Sequence, residues 1–283
     1  MRLNPFNTGN INVGTTGGGG GRGRAGGIGC GTIVIAAIGY FAFGLDPFQT
    51  AATIEGMQQQ GQVQQAPTGE DEQAVCFSNA YATETCNGLQ SLNQTWERVF
   101  AEQGARLEQP MLRFASEQRF NTGCGPGSVG MGPFYCPADR TIYIDVGFYD
   151  QLGKMAGNGG DFARHYVIAH EYGHHVQTLT GISDQIRSAQ QQDPRRANQL
   201  QVLMELQADC YAGVWAGKNR NLIEPGDIEE GMAAATAIGD DTLTQGRVSA
   251  ENFTHGTSRQ RSQALQLGLR GDDTACDRIV TSG

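Results

Sequence analysis

Charged residues, and basic residues above all, are scarce in this chain of 283 residues. Asp, Glu, Lys and Arg make up 17% of it, and 20 basic residues stand against 29 acidic ones, for a net charge of −9. Residues 1–45 contain three Arg and no acid, so the net charge of the remainder is −12. A body this acidic has no basic surface to neutralise phosphates, which excludes nucleic acid as a partner.

Internal repeats are absent as well, and the length allows one or two domains. Long apolar runs are missing except for one: residues 25–45 carry no charge, and from residue 33 they are strongly apolar. These 21 residues are enough to cross a bilayer. Arg22 and Arg24 before the run and Asp46 after it predict that the N terminus lies in the cytoplasm. A cleaved signal peptide and a buried core helix are the alternatives.

The segments on either side of the apolar run lack the pattern of a folded domain. Residues 1–24 are low in complexity, with five consecutive Gly at 17–21, and we expect them to be disordered. Residues 46–73 are rich in Gln and Ala and predict a flexible linker. A folded body over residues 74–283 would then lie outside the cytoplasm, held at the cell inner membrane by a single crossing.

Within the body, strand patterns come before helical ones. Residues 111–114 and 141–145 alternate between apolar and polar side chains, as strands do. Helical spacing of apolar side chains occurs at residues 89–100, 147–156, 227–240 and 258–270. Strands in the first half followed by helices predict an α+β fold with a small strand layer.

The stretch His-Glu-Tyr-Gly-His at residues 170–174 is the most informative one in the chain. Residues four apart share one face of a helix, so His170 and His174 can bind one metal ion. Glu171 can reach a water on that metal without binding the metal itself. This is the H-E-x-x-H arrangement of zinc hydrolases.

The surroundings of this motif favour a helix. Asp161 is a candidate N-cap, and apolar residues recur from there to residue 179. Gly173 costs about 1 kcal/mol inside a helix, which indicates that another backbone or a ligand comes close to it. His165 and His175 are out of phase with the motif, and we expect them on the polar face or in a layer behind the ligands.

A catalytic zinc site takes three protein ligands and keeps one position for water, so two imidazoles do not complete it. A second helical pattern follows Asp193 and Pro194 and covers residues 195–215. Glu205 and Asp209 lie one turn apart beside its apolar face, where carboxylates are costly unless a cation neutralises them. Glu205 is the expected third ligand, and Asp209 would accept the N–H of a ligating imidazole. A solvated face is the alternative.

The two motifs together resemble those of the gluzincin metallopeptidases. Residues 166–177 and 205–215 look like the corresponding segments of the bacterial putative neutral zinc metallopeptidase family, and residues 132–139 and 253–258 are further matches. The likeness extends from about residue 25 to the C terminus. It implies a zincin-like peptidase domain that holds one zinc ion per chain and acts on a peptide or protein.

The chemistry of such a site assigns roles to further residues. Glu171 would be the general base for a zinc-activated water. His255, the only His outside residues 165–175, is the candidate donor to the oxyanion, with Tyr143 and Tyr211 as weaker alternatives; an ordinary His in a surface loop is the other interpretation. The resemblance implies that the strand before the zinc helix forms the rim of the cleft, so that Tyr143 and Ile144 pair with an extended substrate; an ordinary internal strand is the alternative.

Two other functions remain open at this point. One is a catalytically inactive zinc-binding or chaperone-like module, against which the intact Glu171 argues. The other is a zinc hydrolase that acts on a non-peptide amide or ester.

Seven cysteines complete the sequence, and six of them follow the apolar run that contains Cys30. An even number outside the cytoplasm predicts disulfides. Local spacing favours Cys76–Cys86 and Cys124–Cys136, which leaves Cys210–Cys276, although six cysteines allow fifteen pairings. Cys136 has an alternative use as a metal ligand, as an upstream cysteine has in peptide deformylases.

Overall fold

The computed structural model describes residues 1–16, 71–157 and 160–281. Its six strands are β1 (Asn12–Thr15), β2 (Met111–Phe114), β3 (Arg119–Thr122), β4 (Gly125–Ser128), β5 (Phe134–Cys136) and β6 (Thr141–Ile144). Its ten α-helices are α1 (Glu72–Cys76), α2 (Ala80–Glu102), α3 (Gly147–Ala156), α4 (Asp161–Leu179), α5 (Ile182–Gln192), α6 (Ala197–Lys218), α7 (Asp227–Ala237), α8 (Asp240–Leu243), α9 (Ser258–Gly268) and α10 (Asp273–Thr281). The described fold is therefore α+β, mostly helical with a small sheet.

Four of the strands form one sheet in the order β1-β2-β6-β5, and β3 pairs with β4 in a separate hairpin. β1, β2 and β6 run parallel, whereas β5 runs antiparallel to β6. β6 therefore has a strand on each side, and its backbone is not free to pair with a substrate. The prediction that Tyr143 and Ile144 pair with a substrate strand is wrong for this reason, and the internal strand is the arrangement found.

Helices α4 and α6 cross in the centre of the body. Nearly every residue of α6 from Met204 to Ala216 is buried, which is why its apolar side chains do not form a single stripe. A Cβ on Gly173 of α4 would lie 2.8 Å from the Cα of Ala208 on α6. The expectation that another backbone approaches Gly173 is thus confirmed, and this close crossing sets the distance between the two helices that carry the candidate ligands.

α9 packs against the other side of α6 at equally short range. A Cβ on Gly213 would lie 2.2 Å from the carbonyl oxygen of Leu265, so only glycine permits this approach. Because α9 lies this close, a side chain that starts on α9 can reach the buried polar residues of α6.

Residues 1–16 belong to the folded body, which differs from the disordered tail expected over residues 1–24. β1 pairs with β2, and Ile11 and Val13 are buried in the core. The α-amino group of Met1 is 2.7 Å from Asp161 Oδ1 and 2.8 Å from Asp227 Oδ1. Parallel pairing with β2 and burial of two aliphatic side chains provide the stabilising contacts that the sequence pattern of this segment does not reveal.

The predicted membrane crossing over residues 25–45 lies outside the described residues, as does most of the linker over 46–73. Among the helices that the structure does describe, none combines the length and the apolar character that a bilayer crossing requires. The pairing of β1 with β2 requires residues 12–15 and 111–114 to lie on the same side of any membrane. A single crossing by residues 25–45 would separate them, so these two arrangements exclude each other in one folded molecule.

The body begins slightly earlier than expected and is closed by three disulfides. Asp71 caps α1 by accepting from the backbone N–H of Gln73, so the fold starts before residue 74. The disulfides are Cys76–Cys86, Cys124–Cys136 and Cys210–Cys276. This is the pairing predicted from local spacing.

Candidate metal centre

Three side chains from α4 and α6 converge on one another. His170 Nε2 lies 3.2 Å from Glu205 Oε2, and His174 Nε2 lies 3.6 Å from Glu205 Oε1. One ligand atom from each of the three lies within 4.8 Å of the others. Zinc bonds of about 2.1 Å at a tetrahedral angle separate ligand atoms by about 3.4 Å. The donor types and their spacing therefore fit a zinc ion.

The hydrogen bonds of the two imidazoles leave both Nε2 atoms available to a metal. His170 donates from Nδ1 to Asp209 Oδ1 at 2.8 Å. His174 donates from Nδ1 to Gln177 Oε1 at 2.8 Å, and Gln177 is held in this orientation because its Nε2 donates to the carbonyl of Met204. Partners that fix the tautomer in this way are typical of metal-binding imidazoles. Asp209 lies where the sequence predicted it; Gln177 was not anticipated.

Arg261 of α9 is the main element that sequence reasoning missed. Its Nε donates to Asp209 Oδ2 and its terminal nitrogen to Asp209 Oδ1, both at 2.8 Å. The hydroxyl of Tyr166 donates to Asp209 Oδ1 at 2.6 Å. Burial raises the pKa of Asp209, but Arg261 and His170 outweigh burial and hold it at about 2. Asp209 is therefore an ionised carboxylate that is fixed from three sides.

The two glutamates of the site differ in their electrostatics. Burial raises the pKa of Glu171 above its ordinary range, against the opposing influence of His170 and His174. Glu205 is buried more completely, yet His174 and His170 hold its pKa well below its ordinary range. A raised pKa suits a group that accepts and returns a proton, whereas a lowered one suits a permanently charged ligand.

His255 lies in the loop before α9 and lines the cleft at the metal centre, which is described below. Asp240 Oδ1 lies 3.0 Å from His255 Nδ1, and Asp240 Oδ2 accepts the backbone N–H groups of residues 254, 255 and 256. The His255 ring is buried, and its Nε2 has no hydrogen-bond partner among the described residues. Asp240 was not singled out in the sequence. It orients a ring whose other nitrogen is uncommitted.

The other candidates from the sequence lie elsewhere. The hydroxyl of Tyr143 donates to Asp139 Oδ2 at 2.8 Å, and that of Tyr211 donates to Asp277 Oδ1 at 2.6 Å, so both are committed away from the centre. Cys136 is bonded to Cys124 and has no thiolate to offer a metal. Neither Ile144 nor Tyr143 lines the cleft described below.

His165 and His175 are core residues rather than surface ones. His175 Nε2 lies 2.6 Å from the carbonyl oxygen of Glu108, to which it donates, and its Nδ1 accepts from the hydroxyl of Tyr135 at 3.0 Å. This links α4 to β5 through a neutral ring. His165 packs near Trp215, and neither of its ring nitrogens has a hydrogen-bond partner among the described residues. Both side chains are therefore buried in the protein core, and neither lies on a polar face of α4.

His165 is expected to make the fold sensitive to acid. Desolvation lowers its pKa to about 4, below the value of about 6.5 for an unfolded histidine. Between these two pH values the unfolded chain therefore binds more protons than the folded chain. The free energy of unfolding is consequently highest above about pH 6.5 as far as His165 is concerned, and it decreases as the pH falls to about 4. The free energy of unfolding is measured by urea titration with a chelator present. As the pH is lowered through this range, the value for His165→Leu should rise relative to that of the unmodified protein by up to about 3 kcal/mol. A difference that does not vary with pH would contradict this role.

The metal centre opens into a cleft. His170, Glu171, His174, Glu205 and His255 all line it. Much of the remaining wall is apolar and comes from Phe134, Tyr135, Phe148, Val167, Met204, Ile238 and Leu243. A wall of this composition suits an apolar group of a ligand next to the metal centre.

Comparisons with known proteins point to one family. The family model described as putative neutral zinc metallopeptidase matches residues 7–279. The chain is 42% identical over 257 residues to the "Uncharacterized protein YpfJ" of Escherichia coli (strain K12). The aligned region covers 88% of this chain and 85% of that protein. It is 44% identical over 185 residues to the "Uncharacterized protein Rv2575" of Mycobacterium tuberculosis, which covers 59% of this chain and 61% of that protein. No solved structure matches. The matched range includes β1 and every residue of the centre.

Proposed function

The chain belongs to the putative neutral zinc metallopeptidase family, and on that premise we propose that it is a zinc-dependent endopeptidase. The observation that carries the proposal is the convergence of His170, His174 and Glu205 beside the carboxylate of Glu171 in an open cleft. Three protein ligands and an adjacent base are the arrangement of a catalytic zinc site rather than of a closed structural one. One zinc ion per chain is proposed.

The side chains of this centre divide the work of hydrolysis. The chemistry that a zinc ion supplies in such a site is activation of a water molecule near neutral pH and polarisation of the scissile carbonyl. Glu171 accepts the proton of the attacking water on its carboxylate and then donates it to the nitrogen of the leaving amine. Its raised pKa favours holding that proton between the two steps.

His255 is proposed to stabilise the negative charge that develops on the carbonyl oxygen. Asp240 holds the ring by Nδ1, so Nε2 can donate to the oxygen when the ring carries both protons. Preorganised donors of this kind each contribute about 10²- to 10³-fold in kcat. Asp240 acts as a positioning residue because it reaches the substrate only through His255.

We propose that the substrate backbone adds to β5 instead of β6. β5 is an edge strand, since β6 is its only strand partner among the described residues. Phe134 and Tyr135 of β5 line the cleft beside the metal centre. An extended peptide that pairs with a free edge gains backbone hydrogen bonds regardless of its sequence, and the pockets of the cleft then select its side chains.

Digestion with and without a chelator tests the peptidase proposal. The purified protein should cleave casein or a peptide library, lose this activity in a chelator that strips zinc, and regain it when zinc is added back. A non-peptide hydrolase would cleave amide or ester compounds but no peptide. An inactive zinc-binding module would bind zinc and cleave nothing, and either result would refute the proposal.

We also propose that the body works outside the cytoplasm. The pairing of β1 with β2 then places the N terminus on the same side, whereas the single membrane crossing that the sequence predicts over residues 25–45 would place it in the cytoplasm. Three disulfides support an oxidising compartment. In a Cys30→Ser background, Glu229→Cys on the exposed surface of α7 should react with a membrane-impermeant maleimide applied to spheroplasts. Asn10→Cys should react equally if β1 pairs with β2 as described. Labelling of Asn10→Cys only after lysis would place the N terminus in the cytoplasm, and failure of both to react would place the body there.

A further inference from the structure

Two arginines line the cleft, and they differ in how completely their hydrogen-bonding groups are used. Each of the three nitrogens of Arg261 donates a hydrogen bond, because Asp209 accepts from two of them and the carbonyl of Ile238 accepts from the third. Arg187 of α5 has no such partner: its Nε is buried and makes no hydrogen bond with the described residues. Arg187 is thus the cleft arginine with hydrogen-bonding capacity to spare.

The ion pair that Arg187 makes within the described part of the chain is weak. Its terminal nitrogen lies 3.6 Å from Asp184 Oδ1, one turn earlier on α5, and the Asp184 side chain is 83% exposed. Exposed pairs at this distance contribute little because water screens them. Leaving a buried donor unsatisfied costs free energy, and the cost is larger for a charged group. The Arg187 side chain is 31% exposed, so water reaches part of its guanidinium, but the buried Nε has no acceptor among the described residues.

The position of Arg187 relates it to the metal centre. Thr178 lies one turn beyond His174 on α4, and its hydroxyl is within 3.4 Å of that of Ser183 at the start of α5. Thr178, Ser183 and Arg187 line the same cleft as the ligands. The guanidinium consequently lies at the part of the cleft next to the C-terminal end of α4, beyond His174. A peptide that extends from the metal toward this end of the cleft would pass it.

We infer that Arg187 selects substrates by binding a carboxylate of the peptide, an inference that rests on the proposed peptidase function. A planar guanidinium binds carboxylates through two parallel hydrogen bonds, and one of the two can come from the buried Nε. The carboxylate has two possible sources, the C terminus of a short peptide or the side chain of Asp or Glu. Both satisfy the same buried donor, so both are included in the test.

The test compares peptides that differ only in this group. The probes are acetylated alanine peptides with one leucine, which end one, two or three residues after it as a free acid or as an amide. A second set carries Glu or Gln at the same positions with an amidated end. Binding is measured by calorimetry on zinc-loaded Glu171→Gln protein, which does not consume the probes, and kcat and KM are measured on the zinc-loaded protein with Glu171 intact.

At least one carboxylate probe should bind about 10- to 100-fold more tightly than its neutral counterpart, as expected for a charge-assisted pair. Arg187→Gln should make charged and neutral probes bind equally, while the neutral probes bind as before. In the kinetic measurements the change should appear in KM. Arg187→Lys should retain part of the preference. Arg195→Gln removes a nearby exposed charge outside the cleft and should change nothing. The free-acid set and the Glu set identify the source of the carboxylate.

Equal binding of charged and neutral probes, or a preference that survives Arg187→Gln, would overturn the inference. If the zinc-loaded protein cleaves none of the peptides, the peptidase proposal fails on its own. The binding ratios still decide the role of Arg187 in that case, because they do not depend on hydrolysis.

Discussion

Replacing Glu171 with Gln is expected to lower peptide hydrolysis by about 10²- to 10⁴-fold while the protein keeps its zinc. The amide has nearly the shape of the carboxylate but cannot accept the proton of the attacking water. Glu171 binds no metal in this arrangement, since the three atoms that converge belong to His170, His174 and Glu205. The effect should appear in kcat, with zinc content measured on the same sample.

The control for this prediction is Glu229→Gln on the exposed surface of α7, which changes the net charge equally and should leave the activity unchanged. Hydrolysis by Glu171→Gln at the full rate would refute the role of Glu171 as the base. Loss of zinc together with activity would instead show that Glu171 takes part in binding the metal.

The parts of the centre that the sequence predicts are those set by helix geometry. His170 and His174 are four residues apart, and so are Glu205 and Asp209, so each pair shares a face once its helix forms. Their joining across α4 and α6 depends on Gly173, whose place in a helix was the local signal of a close crossing. A pattern within a few residues is sufficient for this much of the site.

Residues that complete the centre through long-range contacts carry no such signal. Arg261 binds Asp209 across 52 residues of sequence, and Asp240 binds His255 across 15. Nothing around either residue distinguishes it from an ordinary exposed charge. Their roles follow from the packing of α9 against α6 and from the loop before α9, both of which are tertiary features.

The strands predicted at residues 111–114 and 141–145 are present as β2 and β6, but other strands were missed for a different reason. β1 has two β-branched residues, Val13 and Thr15, but Gly14 separates them and a Gly-rich run follows, so the pattern is too short to mark a strand. β4 reads Gly-Pro-Gly-Ser and has no β-branched or aromatic residue. β1 is stabilised by its pairing with β2 and β4 by its pairing with β3. β6 was found, but its place between β2 and β5 is a property of the whole sheet that its own residues do not encode.

Replacing Glu205 with Ala is expected to weaken zinc binding more strongly than any change behind the ligands. It removes one of three protein ligands and leaves two imidazoles, which is fewer than a catalytic zinc site uses. Asp209→Ala should lower zinc affinity by about 10- to 100-fold, because it releases the His170 ring without removing a ligand. Competition with a fluorescent zinc chelator measures both affinities on one scale.

Asp209→Ala has a second consequence that separates its two roles. It leaves the buried guanidinium of Arg261 without its carboxylate, and breaking a buried pair in this way costs about 3–5 kcal/mol of folding free energy. The double variant Asp209→Ala with Arg261→Met removes both charges and should recover much of that stability in urea titrations of the metal-free protein. Its zinc affinity should stay low, because His170 still lacks its acceptor. If the double variant recovered zinc affinity along with stability, Asp209 would act only through the fold. If Glu205→Ala bound zinc normally, the site would need a different third ligand.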